Sequence, residues 1–208
     1  LREIGFLFCM GDNDSTRSIH EDYYYGIKYL KAAALLKDKT SLYMLATLFA
    51  KDSNEESHKI AFRLADASAD LGYVNAFSII GIFYKNGIGV QINNIMSAIY
   101  FKIAADKGDD SAMYQFARMM MQISIDEIVF HQYNQQMETV NNIIKELKGK
   151  SNKVYREIQY TLEAIQDKNV ALFVSVKYFE KSAKKGNKDA EEELKQIQEK
   201  LNGNNNEP

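Results

Sequence analysis

Apolar and small residues recur along this chain at the spacing expected of paired amphipathic helices. From residue 61 onward, ten positions are repeated after 36 residues. The first set is Ala61, Leu64, Ala65, Ser68, Ala69, Gly72, Ala76, Ile80, Gly81 and Tyr84, and the second is Ser97, Tyr100, Phe101, Ala104, Ala105, Gly108, Ala112, Phe116, Ala117 and Met120. A fixed period between about 20 and 50 residues is typical of a solenoid. The pattern therefore predicts an all-α fold of stacked, antiparallel helical hairpins.

The same pattern extends in both directions from this stretch. We name the helix before each repeated Gly72-type glycine the B-helix, and the helix after it the A-helix. A-helices are predicted over 1–9, 41–49, 76–84 and 110–121, and B-helices over 21–37, 61–71 and 93–107. A clear final unit follows over 175–194. The expected architecture is an alpha-alpha superhelix, a right-handed solenoid of about five antiparallel helix pairs.

The pattern weakens between Gln122 and Gln166. Helical periodicity persists there, so we expect an irregular, degenerate unit that starts near Thr139 and has Val154, Ile158 and Leu162 on its A-helix. Its extra residues would extend its first helix or the loop before it. We predict one solenoid domain over 1–201 and a disordered, Asn-rich tail over 202–208. Because residue 1 is leucine, we also expect the natural N-terminus to lie upstream.

A glycine-rich turn follows the best-defined A-helix, with the sequence Gly87-Ile-Gly89-Val90. Two glycines so spaced permit the positive φ angles of a tight turn between helices. The alternative is a phosphate-binding loop, which requires a preceding strand and a longer glycine fingerprint. Neither accompanies this turn, so we favour the structural interpretation.

The repeated positions resemble the Sel-1-like repeat family, a relative of the tetratricopeptide repeat. The resemblance rests on Ala61…Ala69-x2-Gly72-x3-Ala76-x3-Ile80-Gly81-x2-Tyr84-x2-Gly87-x-Gly89-Val90 and its echoes at 104–112 and 181–190. Lys37 stands where glycine is usual, and Gln159 replaces the A-helix glycine. The resemblance implies an adaptor that assembles protein complexes, including the ubiquitin-ligase machinery of endoplasmic-reticulum-associated degradation. It also implies an alternative, the regulatory segment of a larger enzyme such as a protein kinase.

Candidate catalytic or metal-binding chemistry is sparse. His20, His58 and His131 are far apart and share no ligand spacing with Cys9. A single cysteine cannot form an internal disulfide, and no run of apolar residues is long enough for a membrane span. We therefore expect no catalytic residues, no metal and no cofactor. The compartment, cytoplasmic or ER-associated, and the oligomeric state are left open.

A partner surface is expected along the A-helices, at positions that packing does not use. These residues are Thr40, Tyr43, Thr47, Asn75, Ser78, Ile82, Lys85, Ser111, Tyr114, Arg118, Met121, Lys153, Arg156 and Tyr160. Their mixture of aromatic, cationic and apolar side chains suits a protein or peptide ligand. An ordinary solvent-facing groove is the alternative. A net charge of −2 and a pI near 6.0 do not favour nucleic acid as a partner.

Overall fold

The described part of the chain is helical. A computed structural model describes residues 1–10, 19–147 and 152–203, which form eleven α-helices and no strand. The helices are α1 (Arg2–Met10), α2 (Ile19–Leu35), α3 (Lys39–Phe49), α4 (Glu55–Asp70), α5 (Val74–Asn86), α6 (Asn94–Asp106), α7 (Asp110–Ile125), α8 (Glu127–Leu147), α9 (Asn152–Gln166), α10 (Lys168–Ala183) and α11 (Lys188–Gly203). Helix α11 thus runs past residue 201, and the rest of the predicted tail, residues 204–208, lies outside the described residues.

Side-chain caps fix where several helices begin. Asp38 accepts a hydrogen bond from the backbone N–H of Ser41, and Asp109 accepts one from Ala112 in the same way. Asn54, Asn93 and Asp167 cap α4, α6 and α10. Such caps satisfy N–H groups that have no partner inside the helix. They explain why helices start after polar residues that interrupt the apolar pattern.

The predicted ends of the B-helices are confirmed. Gly72, Gly108 and Gly186 have φ angles of 77°, 99° and 88°, in the left-handed region that ends a helix. Lys37 occupies the same place after α2 and has a φ of 60°. It is the non-glycine residue with a positive φ among those described, so the repeat imposes this backbone conformation even on a lysine.

The first compact unit comprises Leu1–Ile92, in which each helix from α1 to α5 packs against the next. Helices α1 and α2 cross closely at Gly5. A Cβ added there would lie 3.0 Å from the carbonyl oxygen of Gly26 and 2.9 Å from Cγ of Leu30. The small residues predicted at such positions therefore set the distance between helices.

The turn after α5 is a structural joint. Gly87 has a φ of 74° and ends the helix, and Gly89 has a φ of 70°. A Cβ added to Gly89 would lie 2.2 Å from the carbonyl oxygen of His58. The glycine lets the turn lie directly against the α4 backbone, which accounts for its spacing without any phosphate ligand.

The second compact unit comprises Asn93–Pro208, and its packing does not follow chain order. Helix α10 packs most extensively against α7, although α8 and α9 lie between them in sequence. The α8–α9 pair packs against α6, α7 and α10. Helix α10 therefore follows α7 as the next B-helix of the repeat, and the α8–α9 pair is inserted between them in the sequence.

The inserted pair begins with a long helix. The degenerate unit is predicted to start near Thr139 with extra residues in its first helix or in the loop before it; α7 ends at Ile125 and α8 runs from Glu127 to Leu147, so the extra residues lie in the first helix. The carboxylate of Asp126 causes this boundary, because it accepts hydrogen bonds from the N–H groups of Ile128 and Val129.

The assignment of residues 1–201 to one solenoid domain stays a prediction.

A buried polar network joins the helices of this unit. Lys102 is almost fully buried, and its Nζ lies 2.6 Å from Oδ2 of Asp106. The hydroxyl of Tyr178 donates to Oδ1 of the same carboxylate. The ring of Tyr160 lies beside the lysine, with 4.8 Å between Nζ and the ring centroid. One carboxylate on α6 therefore links α6 to α10, and its lysine partner links α6 to α9.

Candidate protein-interaction surface on the A-helices

The A-helices divide their residues into packing rows and outward rows. Three residues spaced i, i+3 and i+6 form a packing row, for example Leu42, Leu45 and Leu48 on α3. The corresponding residues of α5 and α7 are Phe77, Ile80 and Phe83, and Met113, Phe116 and Met119. Most of these side chains are buried. The predicted partner residues occupy other positions of the same helices.

Two outward rows are filled by equivalent residues on successive A-helices. Tyr43, Ser78 and Tyr114 share one position, and Thr47, Ile82 and Arg118 share another. Each of these side chains is partly or fully exposed. Equivalent positions of a repeat lie on the same side of each repeat unit. The two rows are therefore present in both compact units.

In the first compact unit, an aromatic contact fixes the position of one predicted partner residue, Tyr43. The rings of Tyr43 and Tyr73 lie 5.1 Å apart between centroids, across α3 and the start of α5. The hydroxyl of Thr47 donates to the carbonyl of Met44 within its own helix. Ile82 remains 41% exposed. This surface therefore combines a fixed aromatic pair with an exposed apolar side chain.

The other first-unit residues surround this centre with polar groups. Thr40 and Ser78 are half-buried, whereas Asn75 and Lys85 are exposed. Thr40 lies in the first turn of α3 and Asn75 in the first turn of α5. The structure therefore brings the seven predicted residues of α3 and α5 onto two sequence-adjacent A-helices.

In the second unit, the surface centres on Tyr114. Its ring lies 5.9 Å from that of Phe179 on α10, and the guanidinium carbon of Arg118 lies 5.7 Å from the Tyr114 centroid. Burial is the main cause of a raised pKa for the Tyr114 hydroxyl, and Arg118 partly opposes the shift. The phenol therefore stays neutral at physiological pH and can donate a hydrogen bond. Ser111 and Met121 flank this pair on α7, one exposed and the other half-buried.

The three predicted residues of α9 are placed differently. Lys153 and Arg156 lie on α9, and their side chains fall outside the described part of the chain. Tyr160 is 39% exposed, and its ring contacts Lys102 of α6. Because α10 packs against α7, α11 is the next A-helix of the repeat, which chain order alone did not indicate.

Two residues of α1 extend the outward rows and were missed in the sequence. Arg2 occupies the Tyr43 position and Phe6 occupies the Thr47 position. Phe6 is 39% exposed, and a guanidinium nitrogen of Arg2 lies 3.5 Å from Oδ1 of Asp38. Ile4, Gly5 and Phe8 already placed α1 in the repeat, so continuing the rows by one helix would have found both.

Other polar clusters have structural partners. Nε2 of His58 lies 2.6 Å from the carbonyl oxygen of Asp52, and the hydroxyl of Ser57 donates to the Asp52 carboxylate. This arrangement ties down the start of α4. In the described ranges, no group of three His, Cys, Asp or Glu residues is placed to hold a metal ion. No described helix is long and apolar enough to cross a membrane.

Comparison with solved structures identifies the fold. The chain is similar to a Sel1 repeat protein from Oxalobacter formigenes, with a TM-score of 0.58 and 21% sequence identity over 94% of this chain. This chain has the Sel-1-like repeat fold. A second Sel-1-like structure is c5321, a protective antigen present in uropathogenic Escherichia coli strains, with a TM-score of 0.50 and 18% identity over 96% of this chain. The prediction of a Sel-1-like α-solenoid is confirmed.

The Sel-1-like chain is shorter than these two proteins. It spans 61% of the Oxalobacter protein and 49% of the E. coli antigen. No family model matches the sequence, and no curated protein matches it. The fold therefore rests on the three-dimensional likeness together with the repeat visible in the sequence.

Proposed function

We propose that this Sel-1-like chain is a non-catalytic protein-interaction scaffold, and that its outward A-helix rows bind protein or peptide. The observation that carries the proposal is the repetition of the two rows. Tyr43, Ser78 and Tyr114 fill one position, and Thr47, Ile82 and Arg118 fill the other. Partly or fully exposed side chains that recur at the same position of successive A-helices are what a repeat protein presents to a ligand.

The chemistry of the rows favours a protein ligand. Tyrosine and arginine are enriched among residues that contribute most to binding, because they combine apolar area with hydrogen-bonding groups. Tyr114 is held by Phe179, and Tyr43 is held by Tyr73, so both rings lose little conformational freedom on binding. Pre-ordered aromatic side chains at the centre and polar groups around them match the anatomy of a protein interface.

A quantitative pull-down tests this function. The intact chain, the Tyr114→Ala/Arg118→Glu variant and a Lys177→Glu/Glu180→Lys control are compared by mass spectrometry of the captured proteins. The control reverses two exposed charges on the α10 B-helix. We expect partners to be lost only from the A-helix variant. Identical partner lists from all three chains would count against this surface.

Two finer assignments belong to the same proposal. One is a subunit of an ER-associated degradation complex, and the other is the regulatory segment of a larger enzyme such as a kinase. Both come from the family resemblance. Captured ubiquitin-ligase components would support the first assignment, whereas a catalytic domain in the same reading frame would support the second.

A further inference from the structure

The turn between α2 and α3 places two leucines in solvent. Leu35 and Leu36 are 85% and 74% exposed, more than any other large apolar side chain of the described residues. Lys37 follows them and takes the positive φ angle that ends α2. The two leucines therefore form an apolar tip on the α2–α3 hairpin.

The repeat does not account for an apolar pair at this place. At the same two positions, the other turns that end in a positive-φ glycine have Asp70-Leu71, Asp106-Lys107 and Lys184-Lys185. Both positions are exposed in all four turns. Exposure here is thus a property of the turn in each unit, and of these four turns the α2–α3 turn alone has no charged residue at either position.

A row of exposed side chains on α2 leads to the apolar tip. Tyr24, Lys28, Lys31 and Leu35 are spaced i, i+4, i+7 and i+11, which places them on one face of the helix. Tyr24 is 65% exposed, and both lysines are exposed. Nζ of Lys31 also lies 5.8 Å from the ring centroid of Phe49. This α2 row therefore combines an aromatic ring, two ammonium groups and an apolar end.

Positive charge surrounds the apolar tip. Between positions 24 and 39, the charged residues are Asp38 and four lysines, Lys28, Lys31, Lys37 and Lys39. The Asp38 carboxylate is already engaged, because it accepts hydrogen bonds from Ser41 and lies 3.5 Å from a guanidinium nitrogen of Arg2. None of the four lysines forms an ion pair with another described residue. The hairpin is therefore cationic in a chain whose net charge is −2.

A lipid bilayer suits this chemistry better than a protein or a nucleic acid does. Lysine is depleted at protein interfaces, and leucine is under-represented among the residues that dominate binding. Nucleic acid offers phosphates to the lysines but no apolar medium for exposed leucines. A peripheral membrane surface uses both, because aliphatic side chains enter the acyl boundary while lysines are attracted to anionic headgroups. Tyrosine is also enriched at the level of the headgroups.

We propose that the α2 row and the apolar tip form a peripheral membrane-binding surface for anionic phospholipid. Helix α2 lies along the bilayer, Leu35 and Leu36 enter the acyl boundary, and the surrounding lysines contact the headgroups. The surface includes none of the outward A-helix residues of the proposed function. The inference therefore does not depend on that function.

Vesicle sedimentation with the full chain tests the proposal. Vesicles of phosphatidylcholine alone are compared with vesicles of equal parts phosphatidylcholine and phosphatidylserine. We expect binding to the anionic vesicles to be at least about tenfold stronger and to weaken as the salt concentration rises. Leu35→Ser/Leu36→Ser and Lys28→Glu/Lys31→Glu should each lower binding to the anionic vesicles by about tenfold.

Two matched controls make the same changes at exposed positions elsewhere. Ile125→Ser/Ile128→Ser removes two apolar side chains that are each 70% exposed, and Lys184→Glu/Lys188→Glu makes the same change in net charge. Both controls should bind anionic vesicles within about twofold of the intact chain. Absence of binding by the intact chain, equal binding to both kinds of vesicle, or equal losses in the controls would overturn the proposal.

Tryptophan fluorescence reports insertion directly, because the chain has no tryptophan of its own. With anionic vesicles, the emission of a Leu36→Trp variant should move to shorter wavelength and be quenched by lipids with brominated acyl chains. An Ile128→Trp variant should show neither change. A Leu36→Trp variant that sediments with the vesicles but keeps the emission of a solvent-exposed tryptophan would overturn the proposed insertion.

Discussion

The hydroxyl of Tyr178 lies 2.6 Å from Oδ1 of Asp106, and the two residues are 72 positions apart in the sequence. This hydrogen bond joins α10 to α6, and the Tyr178 ring also meets that of Phe116 on α7 at 4.8 Å between centroids. These two contacts therefore join α10 to α6 and α7, the two helices that precede the inserted α8–α9 pair. They mark where the repeat resumes.

Removing the Tyr178 hydroxyl tests the strength of this link. Tyr178→Phe keeps the ring contact with Phe116 and removes a hydrogen bond to a charged acceptor. We expect the free energy of unfolding to fall by about 1–2 kcal/mol, measured by urea denaturation. Tyr24→Phe is the matched control, because Tyr24 is 65% exposed. Equal losses in both variants would contradict a specific role for the Asp106 contact.

The two members of the buried ion pair should respond differently to substitution. Asp106→Asn removes the carboxylate that lies 2.6 Å from Nζ of the buried Lys102, and this should cost about 2–3 kcal/mol. Lys102→Met removes the buried charge, and Asp106, which is about one third exposed, can still be solvated. We expect this variant to stay within about 1 kcal/mol of wild type. Thermal and urea unfolding of both variants measure the difference, and a larger loss for Lys102→Met would refute the argument.

Lys37 should be a site of stored backbone strain. Its φ of 60° is unfavourable for a residue with a Cβ, whereas Gly72 holds the same place after α4 at 77°. We expect Lys37→Gly to raise the free energy of unfolding by about 0.5–1 kcal/mol. Gly72→Ala is the reciprocal test, because no described atom lies within 4 Å of the added Cβ, so only the backbone cost remains. It should lower stability by about 1 kcal/mol. Changes of the same sign would disprove this explanation.

Alanine substitution should affect stability differently at two equivalent serines, Ser68 and Ser182. The hydroxyl of Ser68 on α4 donates to the carbonyl of Lys39, whereas the buried hydroxyl of Ser182 on α10 has no hydrogen-bond partner among the described residues. Ser68→Ala should therefore cost about 1 kcal/mol, and Ser182→Ala should be neutral or stabilising. Chemical denaturation of the two variants under one set of conditions compares them directly. A clear loss of stability in Ser182→Ala would show that its hydroxyl is satisfied in solution.

Gly89 should tolerate no side chain. A Cβ at this position would lie 2.2 Å from the backbone oxygen of His58, and its φ is positive. We expect Gly89→Ala to lower the free energy of unfolding by about 2–4 kcal/mol, because neither backbone can move without disturbing α4. Gly72→Ala serves again as the control for the φ cost alone. Similar losses at both glycines would contradict the packing argument.

The repeat made much of the fold predictable from sequence. Gly72, Gly108 and Gly186 are identical residues at identical positions, and a positive φ gives glycine a physical reason to recur there. The inserted pair was harder to place, because α8 and α9 are amphipathic like any other helices. Their position depends on contacts such as Tyr178 with Asp106, which join distant residues and leave no local pattern.

The candidate surface was predictable to the same extent. Once the packing positions were known, the remaining positions of α3, α5 and α7 followed from helical periodicity. Phe6 was missed because the predicted partner residues begin at Thr40, although Gly5 places α1 in the same repeat. Pairs such as Tyr114 with Phe179 needed the structure, because α10 reaches α7 only after the insertion.

Site-specific photocrosslinking tests the central claim most directly, because it reports which face touches a partner in the assembled complex. A photoreactive phenylalanine analogue is placed at Tyr43, Ile82 or Tyr114 on the outward A-helix rows, and at Arg63 or Lys177 on exposed B-helix positions. The account predicts covalent adducts to a partner protein from the three A-helix positions and none from the two B-helix positions. Adducts from the B-helix positions alone, or equal adducts from all five, would contradict it.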